Sequence, residues 1–372
     1  MLPTDTATHR VAADALRAFA AAVLERIGVP TAQADDAADV LVWANLRGVD
    51  THGVRNLRRL YVDSIQNGRF RPAPELRIEH ETPFSARVDG GGGLGLSAAC
   101  WAMRLAMDKA EQAGIGLVAM RNSYHFGAAG YFPWMALQRD LIGVALTGRF
   151  AGQSLDGGVL PTFGARPMFS TNPISVAFPT QDEPPFLLDM ATSIVPYNRI
   201  MMYNELGRTV PEGWGMTADH MPTTDPAVIR QLLPLGGTRE FGSHKGYGLS
   251  MMVAVLCSVL SGGWSDLVPE GPAAFDGHAQ DNDAHFFAAL RVDAFRPVDE
   301  FKRGMDAMIR ALHASPTEAG QERIYVPGEP EHDVLAQRQR EGIPVPDNVL
   351  EDLTILAQEH HVPLPPFSEN NQ

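Results

Sequence analysis

Four short stretches carry residue types suited to acid–base work on a small anion. The first, GVDTHGVRN at 48–56, sets His52 between Thr51 and Gly53, with Arg47, Arg55, Arg58 and Arg59 within a few residues. An imidazole with guanidinium groups close by suits proton donation to a substrate that carries a carboxylate. The same residues equally suit a helix–turn–helix corner with a solvated basic face. The second, RNSYHFGAAG at 121–130, places His125 at the expected end of a strand, with Gly127, Ala128 and Ala129 at the expected start of a helix. Small residues there leave backbone N–H groups open to an anion or a carbonyl oxygen; a packed loop histidine satisfied by backbone is the alternative. The third, LLDMATS at 187–193, ends an apolar run in Asp189, Met190, Ala191, Thr192 and Ser193. Asp189 there orients an imidazole, holds a hydroxyl, or only caps the next turn. The fourth, SHKGYGLSMM at 243–252, puts His244 and Lys245 at the start of an apolar helix. A lysine there opposes the helix dipole, so Lys245 is expected to meet a bound anion.

These groups need helices and strands to position them. Residues 11–27 line up Leu16, Phe19, Ala20, Val23, Leu24 and Ile27 on one helical face, and Gly28 and Pro30 end it. Thr31 is expected to cap a second helix running to 46, with Asp35 and Asp36 near its positive end. Residues 57–65 read as a further helix. Beyond residue 75 the pattern changes. Residues 76–80, 84–88, 115–120, 141–146, 175–178, 186–188 and 285–292 read as strands. Residues 96–112, 128–137, 243–263, 298–312, 331–340 and 347–360 read as helices, the last of them rejoining the N-terminal helical unit. Residues 204–237 read as a loop-rich surface excursion rather than a second core, and 266–283 as a polar loop.

Two motifs invite other chemistry. Gly90, Gly92 and Gly95 satisfy G-x-G-x-x-G after a strand and before a helix. The next strand ends at Arg121 and Asn122, with no acid to hold a ribose, so an ordinary glycine turn is expected. Gly95 to Ala99 approximates a nucleophile elbow around Ser97, but its last glycine is alanine.

A chain of 372 residues, 45% hydrophobic, has material for about two domains. Its net charge of -14 repels phosphates at long range, against a nucleic-acid or anionic-membrane binder. Cys100 and Cys257 both lie in apolar runs and offer neither a disulfide framework nor zinc spacing, and no metal-ligand set is expected. No apolar run reaches the ~18 residues of a membrane span. The start, MLPTDTATHR, lacks a basic stretch followed by an apolar one, so no secretory signal is expected and a cytoplasmic location is the default.

Together RGVDTHG, NSYHFGAAGY, STNPI, LLDMATS, VPEGW, HKGYGLSMM and PGE, in this order over nearly the whole chain, resemble the malate/L-lactate dehydrogenase family. That group also includes ureidoglycolate, sulfolactate, diketogulonate and piperideine-2-carboxylate oxidoreductases. The resemblance implies an α+β fold that is not the doubly wound dinucleotide fold: a mixed, largely antiparallel sheet with a helical domain drawn from both termini. Boundaries are expected at 1–75, 76–290 and 291–372, the first and last forming the helical domain. It implies a homodimer with sites near the subunit interface. The implied reaction is reversible hydride transfer between NAD or NADP and a small 2-hydroxy or 2-oxo acid, malate- or lactate-like, or reduction of a cyclic imine carboxylate. Within that reaction the resemblance makes His52 the proton donor, His125 a second acid/base and Asp189 a partner of catalysis or cofactor. Thr51 and Arg55 fall to the substrate carboxylate. Arg149, Asp189, Met190, Ala191, Thr192, Ser193, His244, Lys245, Pro327, Gly328 and Glu329 fall to the cofactor.

Several positions depart from the family pattern. The family arginine usually stands four residues after the histidine, where this chain has Asn56. Arg55 stands three after, and on a helix i+3 and i+4 face nearly the same side. Thr51 replaces a frequent serine but keeps the hydroxyl. Asn198 and Arg199 replace a common Gly-Lys. Arg149 and Arg199 suit either a 2′-phosphate or ordinary surface charge. The competing classes are a serine hydrolase acting through Ser97 and a non-catalytic binder of a nucleotide or small acid.

Overall fold

The computed structural model describes residues 9–150, 157–263 and 283–369; the polar stretch 266–283 lies, apart from Asp283, outside them. Helices Ala13–Arg26 and Thr31–Leu46 bury Leu16, Phe19, Val23 and Leu24 against Ala34, Ala38, Leu41 and Val42. Thr31 does not cap. Pro30 holds the cap position in an extended conformation, with no side-chain cap bond, and Thr31 is already helical.

The chain then makes two short turns, Asp50–His52 and Val54–Asn56. The expected helix follows as a π-helical stretch, Leu57–Val62, and one α-turn, Asp63–Gln66. A π-turn shifts the phase of a helix by one residue and is common where a side chain must be aimed. Here Tyr61 is turned fully inward.

The C-terminal part returns to this layer. Strand His9–Val11 pairs antiparallel with both Ile343–Val345 and Phe367–Glu369. Arg58 and Arg59 reach Asp352 on helix Asp347–His360 at 2.7 and 2.9 Å.

The central sheet has seven strands in the order Arg77–Glu81, Ser85–Asp89, Ile115–Ser123, Asp283–Arg291, Leu141–Gly148, Ile174–Phe178, Phe186–Met190. Within it only Ser85–Asp89 and Ile115–Ser123 run parallel; the other neighbours are antiparallel. Helix Gly95–Ala113 makes that one crossover and buries Leu96, Met103 and Ala106 in the core shared with the N-terminal helices.

The glycine run serves packing. The N–H groups of Gly90, Gly92 and Gly93 go to the carbonyls of Arg121, Asn122 and Gly90, and that of Gly91 to the Asp89 carboxylate at 2.7 Å. None of these four is left for a phosphate. Gly95 lies so close to the Tyr124 carbonyl that a Cβ there would sit 1.9 Å from it. Ser97, in the next turn, is buried and gives its proton to the Leu94 carbonyl, the wrong setting for a nucleophile.

The loop-rich reading of 204–237 does not hold. Strands Pro222–Thr223, Gly215–Met216, Gln231–Leu232 and Gly158–Val159 form a small sheet. Val159, Phe169, Val195, Ile200, Val210, Ile229, Leu232 and Ala254 make a second core beneath it. Its apolar residues arrive singly from short segments, so no periodicity announces them.

Candidate active site

Three of the four stretches, those of His52, His125 and Asp189, converge with the turn at 327–328 on a cleft of about 630 Å³. Thr51 and His52 line one wall; Gly127, Ala128 and Ala129 adjoin it; Asp189, Met190, Ala191 and Ser193 form the floor; Pro327 and Gly328 close the far side. Each is held by backbone geometry. The Leu187 N–H donates to the Pro327 carbonyl at 3.0 Å, tying the floor strand to the far wall. The turn bearing His52 rests on Asn45, whose Oδ1 accepts from the Val54 N–H at 2.9 Å and whose Nδ2 donates to Asp50 at 2.7 Å. Gly53 is required here, because a Cβ would fall 2.2 Å from Asn45 Oδ1.

His52 shares a hydrogen bond with the Thr51 hydroxyl through Nδ1, at 2.9 Å. His125 lies behind it, the two rings stacked at 5.6 Å and 14°. The Nδ1 of His125 meets the Tyr61 hydroxyl at 2.7 Å and accepts from the Gly127 N–H at 3.3 Å. A backbone N–H only donates, so Nδ1 is an acceptor and the His125 proton sits on Nε2. Burial pushes the Tyr61 phenol up, aided by Asp283, so the hydroxyl stays available as the donor.

Proton donation by His52 needs its imidazolium form. In the free chain both rings are neutral at pH 7. Burial, with Arg55 adding to it, pulls His52 down to about 4. Burial, His52 and His285 pull His125 down to about 3. The reason is the company each ring keeps: hydroxyls and backbone rather than a carboxylate. Asp189 accepts instead from the Gly130 N–H at 2.7 Å. Confinement pushes its carboxyl up to about 6, against the Gly130 N–H; Glu331 adds to the rise and Arg47 opposes it. Asp189 is nonetheless open to solvent from the cleft side. Water reaching the carboxyl there offsets part of that rise.

His285 completes the chain of rings. It is 0% exposed, stacked on Phe126 at 4.8 Å, and bridges Thr147 and Ser123 at 2.8 and 2.9 Å. Burial holds it down to about 3, against an ordinary value of 6.5. The folded chain therefore refuses a proton that the unfolded chain accepts below that ordinary value. Stability should fall as pH drops from about 6.5 toward 3. Urea midpoints measured down that range should decline less steeply for His285→Gln; an identical slope would rule His285 out as a cause.

Some expected site residues stand elsewhere. Arg55 is bound to Glu205 at 3.0 and 3.1 Å and does not line the cleft. Thr192 is buried, its hydroxyl given to the carbonyls of Thr171 and Asn172. Glu329 points away, accepting from the Val326 N–H and pairing with His313 at 2.8 Å. His244 and Lys245 lie exposed at the start of helix Ser243–Ala254, outside the cleft wall, and His244 meets Arg239. The Arg149 N–H is held by Asn172 at 3.0 Å.

Other residues come forward. Asn56 and Asn198, two departures from the family pattern, both donate to the Thr51 carbonyl, at 2.9 and 3.3 Å. Helix Tyr197–Glu205 thus straps the His52 turn at both ends, through Asn198 and through Glu205. Arg47 is 4% exposed and lines the cleft, its guanidinium 5.1 Å over the Trp43 ring. The i, i+4 spacing of Trp43 and Arg47 was the signal available for that stack. Among the described residues no cluster of His, Cys, Asp and Glu could hold a metal ion.

Residues 11–354 match the sequence profile of malate/L-lactate dehydrogenase. The chain is 41% identical over 354 residues to the malate dehydrogenase of Pyrococcus horikoshii, covering 94% of this chain and 95% of that protein. It is 33% identical over 337 residues to the L-sulfolactate dehydrogenase of Methanocaldococcus jannaschii, covering 91% and 93%. The crystal structure of malate dehydrogenase from Entamoeba histolytica superimposes with a TM-score of 0.88 at 33% identity, covering 96% of this chain and 99% of that one.

Proposed function

The chain belongs to the malate/L-lactate dehydrogenase family, and on that premise we propose that it transfers hydride reversibly between NAD or NADP and a small 2-hydroxy or 2-oxo acid. The meeting of His52 with the Asp189 turn in one cleft carries this reading. Malate is the first substrate to test, because the 41%-identical relative bears that name.

The cleft suits a flat ring beside a small acid. Val49, Leu187, Leu188 and Met190 give it apolar walls, and Gly127, Ala128 and Ala129 leave room against them. The nicotinamide supplies or accepts the hydride. The chain's own task is to hold the acid, exclude water and move a proton. His52 is neutral alone, but an anionic substrate favours its charged form, so the proton is taken up as the substrate binds. It passes to the substrate oxygen as negative charge develops there, and returns to His52 in the oxidation direction. His125, kept neutral chiefly by burial, places no second cation beside it. Arg55 meets the substrate carboxylate by exchanging partners. Its pair with Glu205 is partly exposed and contributes at most about 1 kcal/mol, so a carboxylate can compete for it. Arg149 and Lys245 are the cations for the cofactor's phosphates, with His244 beside Lys245 as a further contact.

The direct test is loss of reduced-nicotinamide absorbance. NADH and NADPH are each offered with oxaloacetate, pyruvate, the keto acids of sulfolactate and ureidoglycolate, and a cyclic imine acid. Folded protein that oxidises neither cofactor with any of them would overturn the proposal.

A second copy of the chain is the proposed partner. Helix Ser243–Ala254, its continuation Val255–Val259 and the cap residue after it expose Met251, Met252, Val255, Val259 and Leu260, each by 43–56%. Such a stripe is normally covered. Wild-type protein should sediment as a dimer and Met252→Asp/Val255→Asp as a monomer; a monomeric wild type at micromolar concentration would exclude this. No helix among the described residues is long and apolar enough to cross a membrane; we place the protein in the cytoplasm. We also propose that residues 1–75 and 291–372 act as one helical domain around the domain 76–290.

A further inference from the structure

Arg47 is a buried cation with donors to spare. A guanidinium carries five N–H groups. Among the described residues its one hydrogen bond is from Nη2 to the Gly328 carbonyl, at 3.3 Å, and its Nε is buried without a partner. It lines the same cleft as Asp189 and Glu331, and the three lie within electrostatic reach of one another. The Glu331 carboxylate makes no hydrogen bond among the described residues, whereas one oxygen of Asp189 is already taken by the Gly130 N–H.

The charge count decides what this corner accepts. One guanidinium stands against two carboxylates, so a phosphate or a substrate carboxylate placed there would face more negative charge than positive. A neutral, planar group that accepts on one side and donates on the other meets both demands at once. A primary carboxamide is such a group: its oxygen takes the guanidinium N–H and its NH₂ gives to a carboxylate. Building on the nicotinamide-dependent reading above, we infer that Arg47 and Glu331 form the subsite for the carboxamide of the nicotinamide ring, Arg47 donating to its oxygen and Glu331 accepting from its nitrogen. Holding that substituent from both sides fixes which face of the ring looks toward His52. Trp43 beneath the guanidinium and Gly328 beside it hold Arg47 in place.

Binding separates this from other roles of Arg47. Dissociation constants are measured for NADH or NADPH, whichever wild type binds, for ADP-ribose, which lacks the ring, and for the reduced 3-acetylpyridine analogue, which keeps the carbonyl but replaces NH₂ by CH₃. Arg47→Met is expected to weaken the reduced dinucleotide by about 10- to 100-fold, the range for losing a charged hydrogen bond, and to leave ADP-ribose unchanged. Wild type should bind the acetyl analogue more weakly than the parent, and Glu331→Leu should erase that preference. Equal weakening of ADP-ribose by Arg47→Met would show that Arg47 meets the diphosphate or holds the fold, and would overturn the subsite. So would unchanged dinucleotide affinity with a raised KM for the keto acid. A wild type that binds neither dinucleotide would bring down the cofactor reading itself, and the subsite with it.

Discussion

His52→Gln should lower turnover by about 10²- to 10⁴-fold, the usual worth of a positioned acid–base group. Affinity for the dinucleotide should change little, because the substitution removes a proton carrier from one wall and leaves the floor and far side intact. Glutamine keeps a side chain that can meet the Thr51 hydroxyl, so the turn should survive. The pH dependence carries a sign. In the free chain His52 titrates near 4, so its base form is already present at neutral pH. In the oxidation direction kcat/KM should therefore show no rise attributable to His52 above that value. In the reduction direction the protonated fraction of the free enzyme shrinks with each step in pH above it, and kcat/KM should fall accordingly. His125→Gln supplies the contrast. His125 stands behind His52 and outside the cleft wall, so its loss should cost less and leave the His52 dependence recognisable. Wild-type turnover and pH dependence in His52→Gln would remove it from the chemistry and pass the acid role to His125.

Arg338→Ala should destabilise the protein by about 3–5 kcal/mol, the cost of stranding a buried charge. Arg338 is 6% exposed on helix Glu329–Glu341 and donates to both oxygens of Asp50, at 2.7 and 2.9 Å, and to the Asn45 carbonyl. Asp50 opens the turn that carries His52. Removing the guanidinium leaves that carboxylate with Asn45 Nδ2 as its remaining side-chain donor among the described residues. The urea midpoint should drop, and activity under conditions where the variant stays folded should drop as well, since the His52 turn loses its anchor. Arg338→Met combined with Asp50→Asn should be less damaging than the sum of the two single changes, because the pair is removed together. Equal stability of Arg338→Ala and wild type would mean that the N-terminal layer holds this turn unaided.

Much of the architecture was visible as local periodicity. Leu16, Phe19, Val23 and Leu24 mark a helix because neighbours at i, i+3, i+4 and i+7 share a face. The strands from Ser85–Asp89 to Asp283–Arg291 stand within a few residues of their expected positions. The antiparallel character of the sheet came from the family resemblance and not from spacing. Local patterns misled where neighbours along the chain were not neighbours in space. The second core draws Val159, Val195, Ile200 and Leu232 from separate short segments, and no window of the sequence contains enough of them to show a period.

The same division runs through the site. By itself the sequence determined which residue types were available for proton transfer, and that His52, His125 and the Asp189 turn sit at the junctions of elements, where side chains and N–H groups remain open to a ligand. Tertiary structure alone decided which of them share a cleft, which charges they meet and which arginine stands in the wall. Asn198 reaches the Thr51 carbonyl across 147 residues, and Arg338 reaches Asp50 across 288. Arg55 is drawn to Glu205 while Arg47 faces the cleft. Contacts at such separations depend on the path by which the chain returns, and that path is set by burial of the whole core rather than by any residue's near neighbours.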